Sequence, residues 1–452
     1  MKDTIFKAYD IRGKVPEDID VTVAYTIGKS YGSYLQEKLG KKKCTIGHDN
    51  RISSASLSAA LKQGLLDSGI NVVDYGLITT PMHYYSRYIE HTYGIMVTAS
   101  HNPKDDNGFK FSFDDLANAR GRMIEDFKNY TFKGVFLNGH GMEEERDIHS
   151  SYYTYLTDNI FMGPKKIKAV FDPGNGVTAT VIKDINSLFP NIEAEYICDE
   201  SDGTFPNHHP DPAVEENMEM LKKKVLETHA DIGIAYDGDG DRIGIIDEKG
   251  NFIMADKYMI VAIRDIITKV KNKTFLCDVK CSKALTDEIE ALGGKVYMSR
   301  TGTSFTQATT KELNIPLGGE LSGHIFFNDR GPEVCSAILA GLRFIEILSK
   351  TNKTFSELLE GIKNYYSTPE IKIPCDNEKK FIIIDKVKEY LKEKNYHFTD
   401  IDGARITFAN SWVLIRASNT GPNLTLRFEA TTKEELQEKQ KEFTDLVTSL
   451  LS

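Results

Sequence analysis

The stretch IKAVFD, residues 167–172, is a short apolar run that ends in an aspartate, and the chain contains three versions of it. After lysine-rich lead-ins, the same pattern occurs as CTIGHD at 44–49 and as TFLCD at 274–278. Each copy is followed by a helical pattern and by further strand patterns. Strands that alternate with helices are typical of doubly wound α/β units. The sequence therefore predicts three similar doubly wound α/β domains.

The later strands of each repeat also correspond. The second strands are VVDYG (72–76), AEYICD (194–199) and KVYMS (295–299), and the third are YGIMVTAS (93–100), ADIGIAYD (230–237) and PLGGELSG (316–323). The unusual residues follow the third strand in every repeat, in the motifs TASHNP, DGDGDR and GGELSGH. Because repeated units place equivalent loops at equivalent positions, we expect these loops to face one central cleft.

The pattern changes after about Thr368. The segment 404–430 alternates like paired strands around a turn, and the segment 432–451 has the spacing of an amphipathic helix. These features predict a C-terminal α+β domain beside the three repeats. The predicted domain ranges are 1–148, 149–253, 254–367 and 368–452.

The composition excludes several classes of protein. The chain has 452 residues, of which 40% are hydrophobic and 27% charged, and its net charge is −10. This acidity argues against nucleic-acid and membrane partners, so an anionic substrate needs local clusters of Lys and Arg. Because no stretch resembles a signal peptide or a membrane span, we expect a cytoplasmic protein.

Neither the cysteines nor the paired histidines predict a metal site. Six cysteines in so long a chain form no disulfide framework, and no second pair or histidine completes a zinc set with Cys277 and Cys281. We interpret these two as buried thiols. His208 and His209 could suggest a metal, but the flanking prolines favour a rigid interdomain loop.

The segment TASHNPKDDNGFK, residues 98–110, contains the first chemical candidate. Asn-Pro and Asn-Gly pairs are turn signals, so Ser100 could merely cap a polar turn. Alternatively, it is presented at the carboxyl end of a strand, beside His101, where α/β sheets keep their ligands. Lys110 closes this segment and is a candidate phosphate ligand, as are Tyr9 and Arg12 in FKAYDIRG near the start.

The loop DGDGDR sets Asp237, Asp239 and Asp241 on alternate positions between glycines. Carboxylate oxygens suit Mg²⁺ or Ca²⁺, and glycines let the backbone curl so that the side chains converge. Glu248 stands where an EF-hand would have its twelfth ligand. Against an EF-hand, Arg242 replaces the glycine of the sharp turn and the flanks have strand patterns.

Two further loops suggest a sugar phosphate. In GGELSGH, Glu320, Ser322 and His324 alternate, which in an extended segment would direct all three side chains to one face, as a reader of sugar hydroxyls requires. In RASNTGP, the guanidinium, hydroxyls and amides of four residues could cradle a phosphate, although an ordinary hairpin turn is the alternative. These are Arg416, Ser418, Asn419 and Thr420.

A serine beside a metal loop, a hydroxyl reader and a phosphate cradle together indicate phosphoryl transfer, with Ser100 as the phosphoryl carrier. In these motifs the chain resembles the α-D-phosphohexomutase superfamily, and within it the bacterial phosphomannomutase/phosphoglucomutase branch. The resemblance rests on FKAYDIRG, TASHNP, DGDGDR, DVKCS, GGELSGH and RASNT, so it extends over essentially the whole chain.

The resemblance implies a phosphoserine at Ser100 that holds Mg²⁺ together with the three aspartates of DGDGDR. It implies a catalytic set of Ser100, His101, Lys110, Arg242 and Arg12. Glu320 and Ser322 would contact sugar hydroxyls, and the RASNT residues would bind the non-reacting phosphate. Tyr9, Lys280 and His324 would line the cleft. Thr303 departs from the family, which usually has a histidine in the segment resembling RTGTS.

The implied reaction interconverts hexose 1- and 6-phosphates of mannose or glucose through a bound hexose 1,6-bisphosphate, which also acts as activator. A phosphoglucosamine mutase is the nearest alternative, although that branch typically has glycine where this chain has Asn419. A phosphatase and a non-catalytic sugar-phosphate-binding paralogue are more remote. A monomer or weak homodimer is expected.

Overall fold

The computed structural model describes residues 1–332, 334–418 and 421–451. Asn419 and Thr420 of the predicted phosphate loop therefore lie outside the described residues. Within the described part, four α/β units follow one another, each with its own sheet.

The first unit contains a six-stranded sheet covered by helices. Its elements are β1 (Ile11–Lys14), α1 (Val21–Leu39), β2 (Lys43–His48), α2 (Ser54–Asp67), β3 (Asn71–Leu77), α3 (Thr80–Ile89), β4 (Tyr93–Val97), β5 (Asp106–Phe111), α4 (Arg122–Lys133) and β6 (Glu143–Glu145).

The second unit has a five-stranded sheet. Its elements are α5 (His149–Asn159), β7 (Ile167–Asp172), α6 (Ile182–Ser187), β8 (Ile192–Tyr196), α7 (Glu219–Thr228), β9 (Ile232–Tyr236), β10 (Ile243–Asp247) and β11 (Phe252–Ile253).

The third unit has a four-stranded sheet. Its elements are α8 (Ala255–Ile266), β12 (Thr274–Asp278), α9 (Lys283–Ala291), β13 (Lys295–Ser299), α10 (Thr303–Glu312), β14 (Leu317–Gly319), β15 (Ile325–Phe327), α11 (Ala337–Ser349) and α12 (Phe355–Leu358).

The fourth unit is antiparallel throughout the pairings described. Its elements are β16 (Tyr366–Ser367), β17 (Ile371–Pro374), α13 (Lys380–Glu393), β18 (Phe398–Thr399), β19 (Ala404–Thr407), β20 (Ser411–Ala417), β21 (Asn423–Ala430) and α14 (Lys433–Leu451).

The predicted repeat is confirmed by the sheet topology. The orders β3-β2-β4-β5, β8-β7-β9-β10 and β13-β12-β14-β15 are the same arrangement three times. In each, three strands are parallel and the last is antiparallel. The sheets are thus mixed. A short loop joins the third strand of each repeat to the fourth, and two strands joined by a short loop pair antiparallel, because a parallel pairing needs a long crossover connection.

This topology brings the predicted loops to equivalent places. The segments after β4, β9 and β14 all lie at the carboxyl end of the third strand, where open α/β sheets bind ligands. The α+β nature of the C-terminal unit is also confirmed, with α13 and α14 packed against β20. The exact domain limits stay a prediction.

Buried contacts hold the four units together. Helix α11 is buried along its whole length and packs against strands of both the second and the third sheet. The fourth unit docks on the loop after β12, where Arg405 donates to the carbonyl of Val279 at 3.1 Å and stacks over Trp412, 4.1 Å from the ring centroid. No helix among the described residues is long and apolar enough to cross a bilayer.

Candidate active site

Ser100 lies directly beyond β4 in a strained turn. Its φ of +54° is in the left-handed region that non-glycine residues rarely adopt. The side chain of Arg51 holds this turn by donating to the carbonyls of Ser100 and Asn102, at 2.8 and 2.7 Å. The hydroxyl of Ser100 in turn donates to Oδ2 of Asp237 at 2.7 Å. The prediction of a presented serine, rather than a capping serine, fits this geometry.

The aspartate loop curls around its first carboxylate. Oδ1 of Asp237 accepts backbone N–H bonds from residues 240, 241 and 242, at 3.1, 2.9 and 3.0 Å. Gly238 permits the approach of the serine loop, because a Cβ there would lie 2.6 Å from the carbonyl oxygen of Ser100. As predicted, strands flank the loop: β9 precedes it and the β10–β11 hairpin follows. This context excludes the EF-hand.

The aspartate loop fits a hard divalent cation. Ligand oxygens of Asp237, Asp239 and Asp241 lie within 4.8 Å of one another, and all three residues are buried. Oδ1 of Asp239 and Oδ1 of Asp241 are buried and have no hydrogen-bond partner within the described part of the chain. Burial and the two neighbouring carboxylates raise the pKa of Asp237 well above its ordinary value. Unpaired buried carboxylate oxygens are costly unless a cation binds them.

Lysine and arginine side chains surround this anionic centre. Nζ of Lys110 donates to Oδ2 of both Asp239 and Asp241 at 2.7 Å. Arg12 donates to Asp10 at 2.6 Å and to the side-chain oxygen of Asn102, in the serine loop, at 2.7 Å. These cations give an acidic chain the local positive charge that a phosphoryl group needs.

Two histidines in the site are neutral. Arg242 donates from Nε to Nε2 of His324 at 3.1 Å, so the other ring nitrogen carries the proton and donates to the carbonyl of Asp241 at 3.1 Å. Burial and the Arg242 guanidinium hold the pKa of His324 well below its usual range. The same causes lower the pKa of His101, whose Nδ1 is 3.3 Å from the Ser100 hydroxyl.

The prediction that GGELSGH, residues 318–324, is an extended segment is wrong. Strand β14 ends at Gly319, and residues 321–323 form a turn before β15, so the segment is not extended. The turn nevertheless brings Glu320, Ser322 and His324 to the cleft. Glu320 accepts from the Thr306 hydroxyl at 2.7 Å, and burial together with nearby Asp278 raises the pKa of Glu320 to about 7.

The fourth unit contributes a basic end to the cleft. Arg416 donates from Nε to Asp402 at 2.9 Å, while its buried Nη2 has no hydrogen-bond partner among the described residues. Ser418 accepts from the backbone N–H of Gly421 at 3.1 Å. Lys280 enters from the third unit and pairs with Glu370 at 3.2 Å. A free guanidinium nitrogen in a polar pocket suits a bound oxyanion.

One cleft of about 800 Å³ connects these groups. Every predicted site residue within the described part lies on its wall, except the three aspartates, which lie buried behind Ser100. Thr303, at the start of α10, also faces the cleft. The sequence reasoning missed other polar residues on the wall, namely Asp10, Asn118, Asp211, Glu215, Glu216, Thr301, Ser304, Ser367, Thr368, Glu370, Lys372, Asn423, Thr425 and Arg427.

The composition of this cleft defines the class of protein. Three repeated α/β units and an α+β unit together enclose a serine, a carboxylate trio, and a basic far end. These are the features of the α-D-phosphohexomutase superfamily, which the sequence motifs resemble.

Four family descriptions match the chain in order. They are phosphoglucomutase/phosphomannomutase α/β/α domain I at residues 3–134, domain II at 150–250, domain III at 254–365, and the C-terminal domain at 370–446. The chain therefore belongs to the phosphoglucomutase/phosphomannomutase family.

Individual relatives agree with this assignment. The chain is 39% identical to the phosphomannomutase/phosphoglucomutase of Pseudomonas putida, over 97% of this chain and 94% of that protein. It is 35% identical to the phosphoglucomutase of Neisseria gonorrhoeae, over 98% and 97%. The crystal structure of a phosphoglucomutase/phosphomannomutase family protein from Burkholderia thailandensis superposes with a TM-score of 0.92 at 33% identity, over 100% and 98% of the two chains.

Proposed function

We propose that this chain is a phosphohexomutase that interconverts hexose 1-phosphate and hexose 6-phosphate of mannose, glucose or both. It is then an isomerase of the intramolecular phosphotransferase type. One observation carries the proposal: the Ser100 hydroxyl, on a strained turn, donates to Asp237 of a buried carboxylate trio and opens into a cleft with a basic far end. This arrangement suits a serine that alternately carries and releases a phosphoryl group.

In the first half-reaction, phosphorylated Ser100 donates its phosphoryl group to the free hydroxyl of a hexose monophosphate. The bond between phosphorus and the serine oxygen breaks, and a bond to the sugar oxygen forms. The proton of the sugar hydroxyl passes to the serine oxygen, directly or through neutral His101, whose Nδ1 is 3.3 Å from it. The product is a bound hexose 1,6-bisphosphate, which also serves as activator of unphosphorylated enzyme.

The residues around Ser100 hold the charge of the transferring group. A Mg²⁺ held by Asp237, Asp239, Asp241 and the serine phosphate would neutralise charge on the phosphoryl oxygens. Lys110, Arg12 and Arg242 line the same cleft as Ser100 and add positive charge, which favours the negatively charged transition state. Their hydrogen bonds to Asp10, Asn102, His324 and the aspartates fix these cations in advance.

In the second half-reaction, the bisphosphate turns over and presents its other phosphate to Ser100. The far end must therefore bind either phosphate, for which we propose Arg416, Ser418, Asn419 and Thr420. Glu320 and Ser322 would hold the sugar hydroxyls, with Tyr9, Lys280 and His324 along the wall. A cleft with walls from four units surrounds a bound substrate, and its filling by the substrate would limit the access of water to the phosphoserine.

The alternatives predicted from the sequence find less support. Relatives at 35–39% identity carry phosphomannomutase or phosphoglucomutase names, which favours these activities over a phosphoglucosamine mutase. The intact serine, aspartates and surrounding cations disfavour a non-catalytic paralogue. A coupled mutase assay with glucose, mannose and glucosamine 1-phosphates, Mg²⁺ and trace bisphosphate tests the proposal. Steady release of inorganic phosphate without isomer formation would indicate a phosphatase instead.

We expect the enzyme to accept both epimers at C2. Glu320 and Ser322 are proposed for the 3- and 4-hydroxyls, which mannose and glucose share, and Thr303 replaces the histidine usual in the family. A site without a dedicated partner for one hydroxyl discriminates weakly, so kcat/KM for mannose 1-phosphate and glucose 1-phosphate should lie within roughly a hundredfold of each other. A preference beyond about 10⁴ would contradict this expectation.

The proposed role of Glu320 predicts a pH dependence of substrate binding. Burial and Asp278 raise its pKa to about 7, and Lys280 and Arg242 partly offset that rise. Below that pH the protonated carboxyl accepts hydrogen bonds poorly, so KM should fall as pH rises through about 7. The same raised pKa means that Glu320 contributes folding stability at low pH, which is lost as pH rises through the folded value.

The matched control for this pH dependence is Glu320→Gln, which keeps the shape and removes the titration. Tyr9 also faces this carboxyl, and the substrate phosphate titrates nearby, so KM against pH must be compared between the two proteins. For the wild type we expect KM to fall as pH rises through about 7, and for Glu320→Gln we expect this fall to be lost. The same fall in the variant would assign the titration to the substrate or another group.

A cytoplasmic location, a monomeric or weakly dimeric state, and the domain limits 148/149, 253/254 and 367/368 stay predictions. Analytical ultracentrifugation tests the oligomeric state, and limited proteolysis with mass spectrometry tests the limits.

A further inference from the structure

A second cluster of metal-ligating side chains lies in the second unit, away from the aspartate loop. Asp172 is the last residue of β7, and Cys198 lies just after the neighbouring strand β8. His208 lies in a loop between Pro206 and Pro210. Their ligand atoms lie within 4.8 Å of one another. The proposed reaction uses none of these residues.

The ring of His208 lies between a backbone carbonyl and a carboxylate. Against the effect of burial, its contacts with Asp172 and Cys198 raise the pKa of His208 to about 10, so an ion that binds here displaces the Nε2 proton. Nδ1 of His208 faces the carbonyl of His209 at 3.0 Å, and since a carbonyl only accepts, Nδ1 carries a proton. Nε2 is thereby directed towards Asp172, 3.0 Å from Oδ2 and 3.3 Å from Oδ1. A backbone carbonyl that fixes the tautomer of a ligating imidazole is the common outer-shell arrangement in metal sites.

The donor set differs in kind from that of the aspartate loop. Imidazole nitrogen, thiolate sulfur and one carboxylate suit Zn²⁺ and its neighbours among the transition metals, whereas Mg²⁺ prefers oxygen ligands alone. We propose that Asp172, Cys198 and His208 form a second cation site, selective for Zn²⁺-type ions, with a fourth position open. The sequence suggested His208 as a ligand only together with His209, and a rigid loop was the preferred interpretation, because the three ligands are separated by 26 and 10 positions along the chain.

The position of this site suggests what an ion would do. The segment after Asp172 donates from the backbone N–H of Val177 to the carbonyl of Gly238, in the aspartate loop, at 3.0 Å. The carbonyl of Asn175 accepts from Asn50 of the first unit at 2.7 Å. An ion that joins the ends of β7 and β8 to the His208 loop would brace the backbone behind the aspartate loop. It would thus be a structural ion beside the catalytic one.

Cobalt spectroscopy on the full chain tests the proposal. Chelator-treated protein is saturated with Mg²⁺ to occupy the aspartate loop, and then titrated with Co²⁺. We expect about one Co²⁺ per chain with a thiolate-to-cobalt charge-transfer band in the near ultraviolet. Cys198→Ser should lose this band, whereas the matched variant Cys375→Ser, a buried thiol of the fourth unit, should keep it.

Alkylation of the wild type gives an independent measurement that needs no variant. Cys198 is half-buried and the other five cysteines are buried, so Cys198 should react first with iodoacetamide. One equivalent of Zn²⁺, with Mg²⁺ in excess, should slow its alkylation about tenfold or more, because a ligating thiolate is no longer a free nucleophile. Peptide mass spectrometry gives the rate. An unprotected Cys198, or a cobalt spectrum without a thiolate band, would overturn the proposal.

Discussion

Ser100→Ala is expected to lose at least about 10⁴-fold in kcat, because the variant has no oxygen to carry the phosphoryl group and the loss corresponds to several kcal/mol of barrier. The mutase assay with glucose 1-phosphate and trace bisphosphate measures the loss. Intact-mass analysis provides a second readout. A phosphate should be found on the wild type, on the peptide that contains Ser100, and should be missing from the variant.

Two further variants separate loss of the nucleophile from loss of the fold. Ser100→Gly also lacks the hydroxyl but tolerates the φ of +54°, so it should fold at least as well as the alanine variant and be equally inactive. Ser30→Ala removes a buried hydroxyl of the same unit, bonded to Thr131, without touching the cleft. Near-normal turnover in Ser100→Ala or Ser100→Gly would contradict the covalent mechanism.

The sequence was sufficient to predict the architecture, because the features that define it are local. The strands around residues 44–49, 167–172 and 274–278 are apolar runs with turn signals at their ends, and their repetition fixed the order of the units. The aspartate loop could be predicted for the same reason: its glycine spacing and its flanking strands are all contained in one short segment.

Contacts between distant segments could not be predicted. Arg51 clamps the turn of Ser100 from 49 positions away, a link that depends on how α2 begins beside β4. Asp402 joins the backbone N–H of Thr301 to the guanidinium of Arg416, and so ties the basic end of the cleft to the third unit. Arg427 belongs to a segment that the sequence singled out, but nothing local indicates that β21 faces the cleft.

The segment that contains Glu320, Ser322 and His324 shows a second limit of prediction from sequence, which concerns the conformation of a loop. Alternation in sequence predicted an extended segment, yet two glycines and the following β15 favour a tight hairpin turn. The three side chains reach the cleft because the turn itself projects into it. The three residues line the cleft and their role stays a prediction, whereas the predicted conformation is wrong, since alternation alone does not distinguish a strand end from a turn.

Removal of the metal is expected to abolish turnover. Lys110 pairs with Asp239 and Asp241 but not with Asp237, and a phosphate on Ser100 would add further negative charge beside Asp237. A metal ion at a phosphoryl oxygen supplies several kcal/mol, so EDTA treatment should reduce kcat by about 10³-fold or more. Because EDTA would also strip the proposed Zn²⁺-type site, thermal unfolding of the treated protein must show that it stays folded.

Adding single metal ions back to the EDTA-treated protein shows which of the two proposed sites, and which ion, the activity requires. Mg²⁺ added alone to EDTA-treated protein should restore activity, because the three aspartates and a serine phosphate offer only the oxygen ligands that Mg²⁺ accepts in octahedral geometry. Asp241→Asn, which removes one charge from the trio, should raise the Mg²⁺ concentration needed for half-maximal activity without requiring Zn²⁺. Full activity in EDTA would contradict the assignment. So would Ca²⁺ supporting faster turnover than Mg²⁺, since a larger ion with a looser shell would position the phosphoryl group less well.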